Sequence, residues 1–167
     1  MDDLSPLGAL GVREIHGRYH FERPLSPEEL LAVSSHLVRF ERGARLASSQ
    51  HAKAVVQARI GHLPREVFAV LFLDTGKRVI AFETLFLGTI DQCPVYPREV
   101  ARRALELNAR SCVLAHNHPS GQCRPSPDDI ELTKRLTETL GLFDIIVDDH
   151  LITAHDGCLS FKELSLL

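Results

Sequence analysis

Apolar residues recur along this chain in two rhythms, and the change between them divides it. In SPEELLAVSSHLVRF (26–40) they fall at Leu30, Val33, Leu37 and Phe40, which predicts a helix with one buried stripe. Ser26 suits the N-cap, Pro27 the first helical position, and Glu29 completes a capping box. A second helix is expected in SSQHAKAVVQARI (48–60), capped by Ser48 or Ser49 and closed at Gly61, with Pro64 soon after. Residues 1–24 hold no sustained period and read as an extended or loosely packed arm.

Beyond Pro64 the apolar residues become continuous. VFAVLFL (67–73) is an unbroken run, Asp74-Thr75-Gly76-Lys77 is a turn, and RVIAFETLFL (78–87) is a second strand-like run; together they predict a hairpin. PREVARRALELN (97–108) is helical, with Val100, Ala101, Ala104, Leu105 and Asn108 on one side. SCVLAHNH (111–118) returns to strand, PDDIELTKRLTETL (127–140) is a helix ending at Gly141, and FDIIVDDHLIT (143–153) is again strand-like. The order β-β-α-β-α-β predicts an α/β fold with a mixed sheet covered by helices. The chain thus divides into an N-terminal arm and helix over 1–47 and an α/β domain over 48–167.

Composition narrows the function. A net charge of -3 gives no electrostatic case for nucleic acid or an anionic membrane. Helix periodicity splits Arg98, Arg102 and Arg103, the densest basic group. No apolar run reaches bilayer length and MDDLSPLGAL lacks a basic signal-peptide start, so a cytoplasmic protein is expected. Cys93, Cys112, Cys123 and Cys158 form no CxxC pair; they read as reduced thiols, with Cys112 in a core strand. Without Trp, an aromatic base-stacking platform is poorly supported.

The chemistry concentrates in LAHNHPSGQCRPSPDD (114–129). Side chains alternate along a strand, so His116 and His118 point the same way, at a strand end. Two converging imidazoles there suit zinc, which in catalytic sites takes three protein ligands and leaves one position for water. Asp129 is the best third candidate. With Ser126 as cap it sits in the first turn of the helix, on the side of Leu132 and Leu136, where an unmatched carboxylate would be costly. Ser26-Pro27-Glu28-Glu29 repeats the Ser-Pro-acid-acid pattern with no histidine pair, so a cap with structural histidines is the competing reading. Glu83, among apolar neighbours, is a candidate base, against an edge-strand glutamate facing water; Glu66, Glu99 and Glu106 sit in ordinary surroundings for solvated charges. Cys123 lies in the loop near this site, where its thiolate is a candidate for the fourth metal position.

These residues resemble a known family. His116-x-His118, Ser126 and Asp129 with an upstream Glu are similar to the JAMM signature of MPN-type zinc metallopeptidases. ETLFLGTI (83–90), YPREVARRALELNA (96–109), AHNHPSG (115–121), PSPDD (125–129) and DHLI (149–152) are similar to the bacterial RadC family. The resemblance runs from about residue 48 to the C-terminus. It implies a three-layer α/β/α sandwich, MPN- and cytidine-deaminase-like, and a protein or peptide substrate. It further implies Zn2+ held by His116, His118 and Asp129 with water as fourth ligand. Glu83 would take that water's proton, and Ser126 would hydrogen-bond the oxyanion as an amide is cleaved. Longer RadC proteins carry a helix-hairpin-helix region that 1–47 does not show. The family name carries a DNA-repair association, so a non-catalytic or DNA-associated accessory protein is the alternative. His150 matches the family string, and a structural hydrogen bond is the favoured reading of it. A deaminase would need Pro-Cys-x-x-Cys, which does not occur.

Overall fold

The computed structural model describes residues 10–15, 18–37, 42–46, 48–89, 93–155 and 157–167. Two compact units divide the chain, Met1–Arg39 and Phe40–Leu167. In the first, strands β1 (Val12–Ile15) and β2 (Arg18–Phe21) form an antiparallel hairpin where the sequence suggested only an arm. Helix α1 (Pro27–Leu37) comes next, and its capping box forms. The Glu29 N–H donates to Ser26 Oγ at 3.2 Å, and the Ser26 N–H donates to Glu29 Oε2 at 2.9 Å. The expected stripe is only partly buried: Val33 is covered, whereas Leu30 is 52% exposed, because so small a unit covers little of a helix. Phe40 and the Leu37 side chain lie outside the described residues.

The second unit begins ahead of residue 48, since Arg45 bridges to Arg78 and Leu46 packs on its core. Helix α2 (Ser49–Ile60) is capped by Ser48, whose hydroxyl accepts from the His51 N–H at 3.1 Å. It closes at Gly61 in the right-handed region, φ -64°. Glycine is needed there for proximity rather than for a left-handed cap: a Cβ would stand 2.7 Å from Gln57 O and 3.0 Å from Thr153 Oγ1.

Strands β3 (Val67–Leu73), β4 (Val79–Leu87), β5 (Ser111–Asn117), β6 (Ile146–Ala154) and β7 (Gly157–Ser160) form one sheet, in the order β4-β3-β5-β6-β7. The β5–β6 pair is parallel and the other three pairs are antiparallel, so the sheet is mixed. Helices α3 (Pro97–Glu106) and α4 (Pro127–Gly141) complete the unit. Alternation along β3 sorts the core into two. Phe68, Val70 and Phe72 meet Val100, Ala104, Leu136 and Leu140 of α3 and α4. Ala69, Leu71 and Leu73 meet Ala52, Val56 and Ile60 of α2 on the opposite face. The result is the three-layer α/β/α arrangement. Both faces of β3 and β5 are covered, which is why all of β3 and the Cys112–Ala115 stretch of β5 run unbroken in apolar residues. No described helix is long and apolar enough to cross a membrane.

A bulge in β6 decides which face His150 occupies. Cys112 pairs with Val147, but Val113 pairs with Asp149, so Asp148 is the extra residue. Past it the side chains change faces: Val147 packs with the α3–α4 core, whereas Leu151 packs with α2. His150 therefore pairs with Leu114 and shares its face, beneath α4.

Candidate metal centre

His116 lies next to the end of the buried run of β5, opposite Phe68 of β3. His118 lies one pleat later, where its N–H donates to Thr153 O at 2.8 Å. The period of two puts both imidazoles on the face that α4 covers. Asp129 reaches the same place from the first turn of α4, fixed by its capping box. The Asp129 N–H donates to Ser126 Oγ at 3.1 Å, and the Ser126 N–H and Oγ–H donate to Asp129 Oδ2 at 2.8 and 2.7 Å.

The three groups converge. Nε2 of His116 lies 3.0 Å from Nε2 of His118 and 3.0 Å from Asp129 Oδ1, and Nε2 of His118 lies 3.5 Å from Asp129 Oδ2. Their ligand atoms all fall within 4.8 Å of one another, which makes them a group able to hold a metal ion. Nδ1 of His118 lies 2.9 Å from Gln122 O. A carbonyl only accepts, so the proton sits on Nδ1 and the Nε2 lone pair of the neutral ring faces the carboxylate. Burial alone would raise the Asp129 carboxyl. Hydrogen bonds donated by the protonated forms of the His116 and His118 rings outweigh that effect and hold the group well below the usual carboxylate range. The bond to Asp129 in turn raises His118 above its ordinary value, against the opposing effect of burial.

His150 stands behind His116. Its Nε2 is 2.8 Å from His116 Nδ1, and its Nδ1 is 2.6 Å from Thr133 Oγ1. The ring is fully buried against Phe68 and Phe161, and that burial pushes it well below the usual histidine range.

A cleft of about 630 Å³ opens onto these ligands, lined among others by Glu66, Phe68, Cys93, Ser126 and Arg135. Glu83 does not line it. Glu83 pairs with Val70, deeper along the sheet than His116, and lies on the face that α3 covers. There Arg103 donates to both its oxygens, at 2.7 and 2.6 Å, and holds the carboxyl below its ordinary value. The apolar neighbours that marked Glu83 belong to the sheet edge, and its compensating charge is a helix arginine.

Glu66 is the acidic residue that the pattern passed over. It immediately precedes β3, on the parity of Phe68, and lines the cleft together with His118. Its negative charge contributes to the raised pKa of His118. Strand parity combined with β3–β5 pairing is the signal that finds it; neighbourhood hydropathy does not. Asn117, between the histidines, faces away from them and fixes this corner. Its Oδ1 accepts from the Val67 N–H at 2.8 Å, and its Nδ2 donates to Leu63 O and Arg65 O at 3.2 and 3.0 Å. Cys123 donates its thiol proton to Ile152 O at 3.0 Å and is not among the residues that line the cleft. Cys112 is buried in β5 as expected.

Residues 46–166 match the family model described as a RadC-like JAB domain. A UPF0758 protein of Chromohalobacter salexigens is 53% identical over 74% of this chain and 55% of its own length. One of Methylibium petroleiphilum is 47% identical over 86% of this chain and 67% of its own length. One of Vibrio cholerae is 42% identical over 87% of this chain and 93% of its own length. The chain thus spans about half the length of several curated relatives that it matches.

Proposed function

This chain belongs to the RadC-like JAB domain family, and on that premise we propose that it is a zinc-dependent hydrolase of peptide or isopeptide bonds. One observation carries the reading: two imidazole nitrogens and a buried carboxylate converge at the floor of a cleft that a second, half-buried carboxylate also lines. The donor set suits zinc. Ligands at zinc–nitrogen and zinc–oxygen distances in tetrahedral order stand roughly 3.4 Å apart; here the two Nε2 atoms are 3.0 Å apart, and one ligand atom from each of the three residues falls within 4.8 Å of the others. When bound, zinc supplies Lewis acidity, polarising a carbonyl and acidifying water.

The chain's own groups do the remainder. Glu66 accepts a proton from the attacking water and delivers it to the leaving amine, because it is half-buried in the cleft that His118 lines while Asp128 and Glu131 lie exposed on α4. Ser126 first orients Asp129, to which its hydroxyl donates; it reaches the developing oxyanion by giving up that bond. Phe68 and Val95 supply apolar wall to the cleft.

The test is hydrolysis of fluorogenic peptides and lysine-linked isopeptides by the zinc-loaded chain. Glu66→Gln loses on the order of 100-fold or more in turnover while retaining zinc, and Glu83→Gln retains turnover. Activity that survives Glu66→Gln removes the base assignment. A zinc-loaded wild type inert towards every substrate removes the hydrolase reading.

A further inference from the structure

The row His116, His150, Thr133 runs from the ligand cluster into the core and ends on a backbone carbonyl. Thr133 Oγ1 lies 2.6 Å from Asp129 O, as the hydroxyl of residue i+4 bonding back to its own helix. A carbonyl has no proton to give, so the single hydroxyl proton of Thr133 points at Asp129 O. Nδ1 of His150 is 2.6 Å from the same hydroxyl oxygen, and with that proton committed the contact requires a proton on Nδ1. His150 is 0% exposed and Phe68 and Phe161 pack on its ring. No carboxylate oxygen is bonded to its ring among the described residues, so a second proton would leave a buried charge unmatched. Its Nε2 is therefore an acceptor, and the proton across the 2.8 Å contact belongs to His116 Nδ1.

We infer that His150 and Thr133 set the tautomer of His116, and so present its Nε2 lone pair to the metal position. The row reads in one direction only: His116 Nδ1–H to His150 Nε2, His150 Nδ1–H to Thr133 Oγ1, Thr133 O–H to Asp129 O. It begins at one ligand residue and ends at the main chain of another. Gln122 O does for His118 in one step what this row does for His116 in three. The difference has a structural cause. His116 is 1% exposed within the sheet face, and its Nδ1 looks inwards, where its partner among the described residues is His150 of β6. The bulge at Asp148 provides it, since unbroken pairing would set His150 opposite Ala115 and turn it to the face of α2. Asp149 steadies the bulge from the other face, accepting from the His150 N–H, the Ser160 hydroxyl and the Lys162 N–H at 2.8, 2.6 and 3.1 Å. His150 and Thr133 are thus positioning residues, acting on the metal through His116.

The inference rests on the metal reading of the cluster, and two measurements on the full chain separate the two. Long-range ¹H–¹⁵N spectra of the zinc-free protein report ring tautomers directly. The expected result at neutral pH is a proton on Nδ1 of His116 and on Nδ1 of His150. A proton on His116 Nε2, with Nδ1 bare, overturns the row whatever the variants do. Zinc affinity by chelator competition is the second readout. His150→Phe, which keeps ring packing and removes the acceptor, weakens zinc about 10- to 100-fold. His150→Gln, whose amide both accepts and donates, recovers most of that loss, and Thr133→Val mixes the tautomers of His150. A folded His150→Phe that binds zinc as wild type does overturns the inference and leaves the metal site standing. No zinc uptake by wild type removes the metal reading, and the ligand role of the row with it. Should His150→Phe fail to fold, the wild-type tautomers and Thr133→Val decide.

Discussion

His118 stands between two oxygens of different kind, and that sets its pH behaviour. Its Nδ1–H is held by Gln122 O, so the proton it gains on acidification goes to Nε2, the atom that faces Asp129. The hydrogen bond to Asp129 raises its pKa above the ordinary value. Without metal, this group stabilises the fold fully below about pH 6.5 and loses that contribution as pH rises through the raised value. Asp129 has the opposite sign. Its depressed pKa makes its contribution complete above about pH 4 and progressively lost on further acidification. A metal must displace the His118 proton, so zinc affinity falls as pH drops through the raised His118 value, by about tenfold per unit for one proton. Chelator competition across pH checks this, and affinity flat from pH 8 to pH 6 contradicts it. Glu83 looked misplaced in its apolar run, but its partner Arg103 is 20 residues away on α3 and invisible to local pattern.

At the scale of elements, one capping device occurs twice with different outer neighbours. Ser26 and Glu29 close α1, and the outward side of Glu29 meets the Arg23 guanidinium at 2.6 and 3.0 Å. Ser126 and Asp129 close α4, and the outward side of Asp129 meets the two imidazoles. The contrast yields a paired prediction. Ser26→Ala and Ser126→Ala each cost about 1 kcal/mol of stability, seen as a lowered denaturation midpoint. Only Ser126→Ala weakens zinc, by about tenfold, because only there does the cap orient a ligand. Equal zinc affinity in both variants would make the α4 cap purely structural. Asn117 offers a second prediction. Asn117→Ala strips the Val67 N–H, Leu63 O and Arg65 O of their side-chain partner, at about 1–3 kcal/mol for each polar group left buried and unpaired. It also frees the segment that carries Glu66, so turnover falls while bound zinc persists; the two are separated by assaying hydrolysis beside metal content.

For the whole molecule, the features legible in the sequence are the local ones. In the second unit α2 and α4 are marked by serine caps and α3 by its opening proline and its period, and β3 and β5 by apolar runs buried on two faces. His116, His118 and Asp129 could be brought together on paper because two lie one pleat apart and the third is fixed by its cap. Pairing between distant strands was not legible. It sets Glu66 at the same cleft as His118, and the packing of α3 on the sheet gives Glu83 to Arg103; no single element carries that information. The bulge that turns His150 inwards is one residue of slippage in IVDDHLITA, with no local mark. The hairpin β1–β2 and the short β7 were missed because four-residue strands hold too few alternations to register.

The central claim is that His116, His118 and Asp129 hold one zinc ion. Metal analysis of the purified full chain, wild type beside Asp129→Ala, tests it most directly. About one zinc per chain is expected in the wild type, with a loss of at least tenfold in affinity in the variant. Zinc absent from both proteins, or bound equally by both, would contradict it.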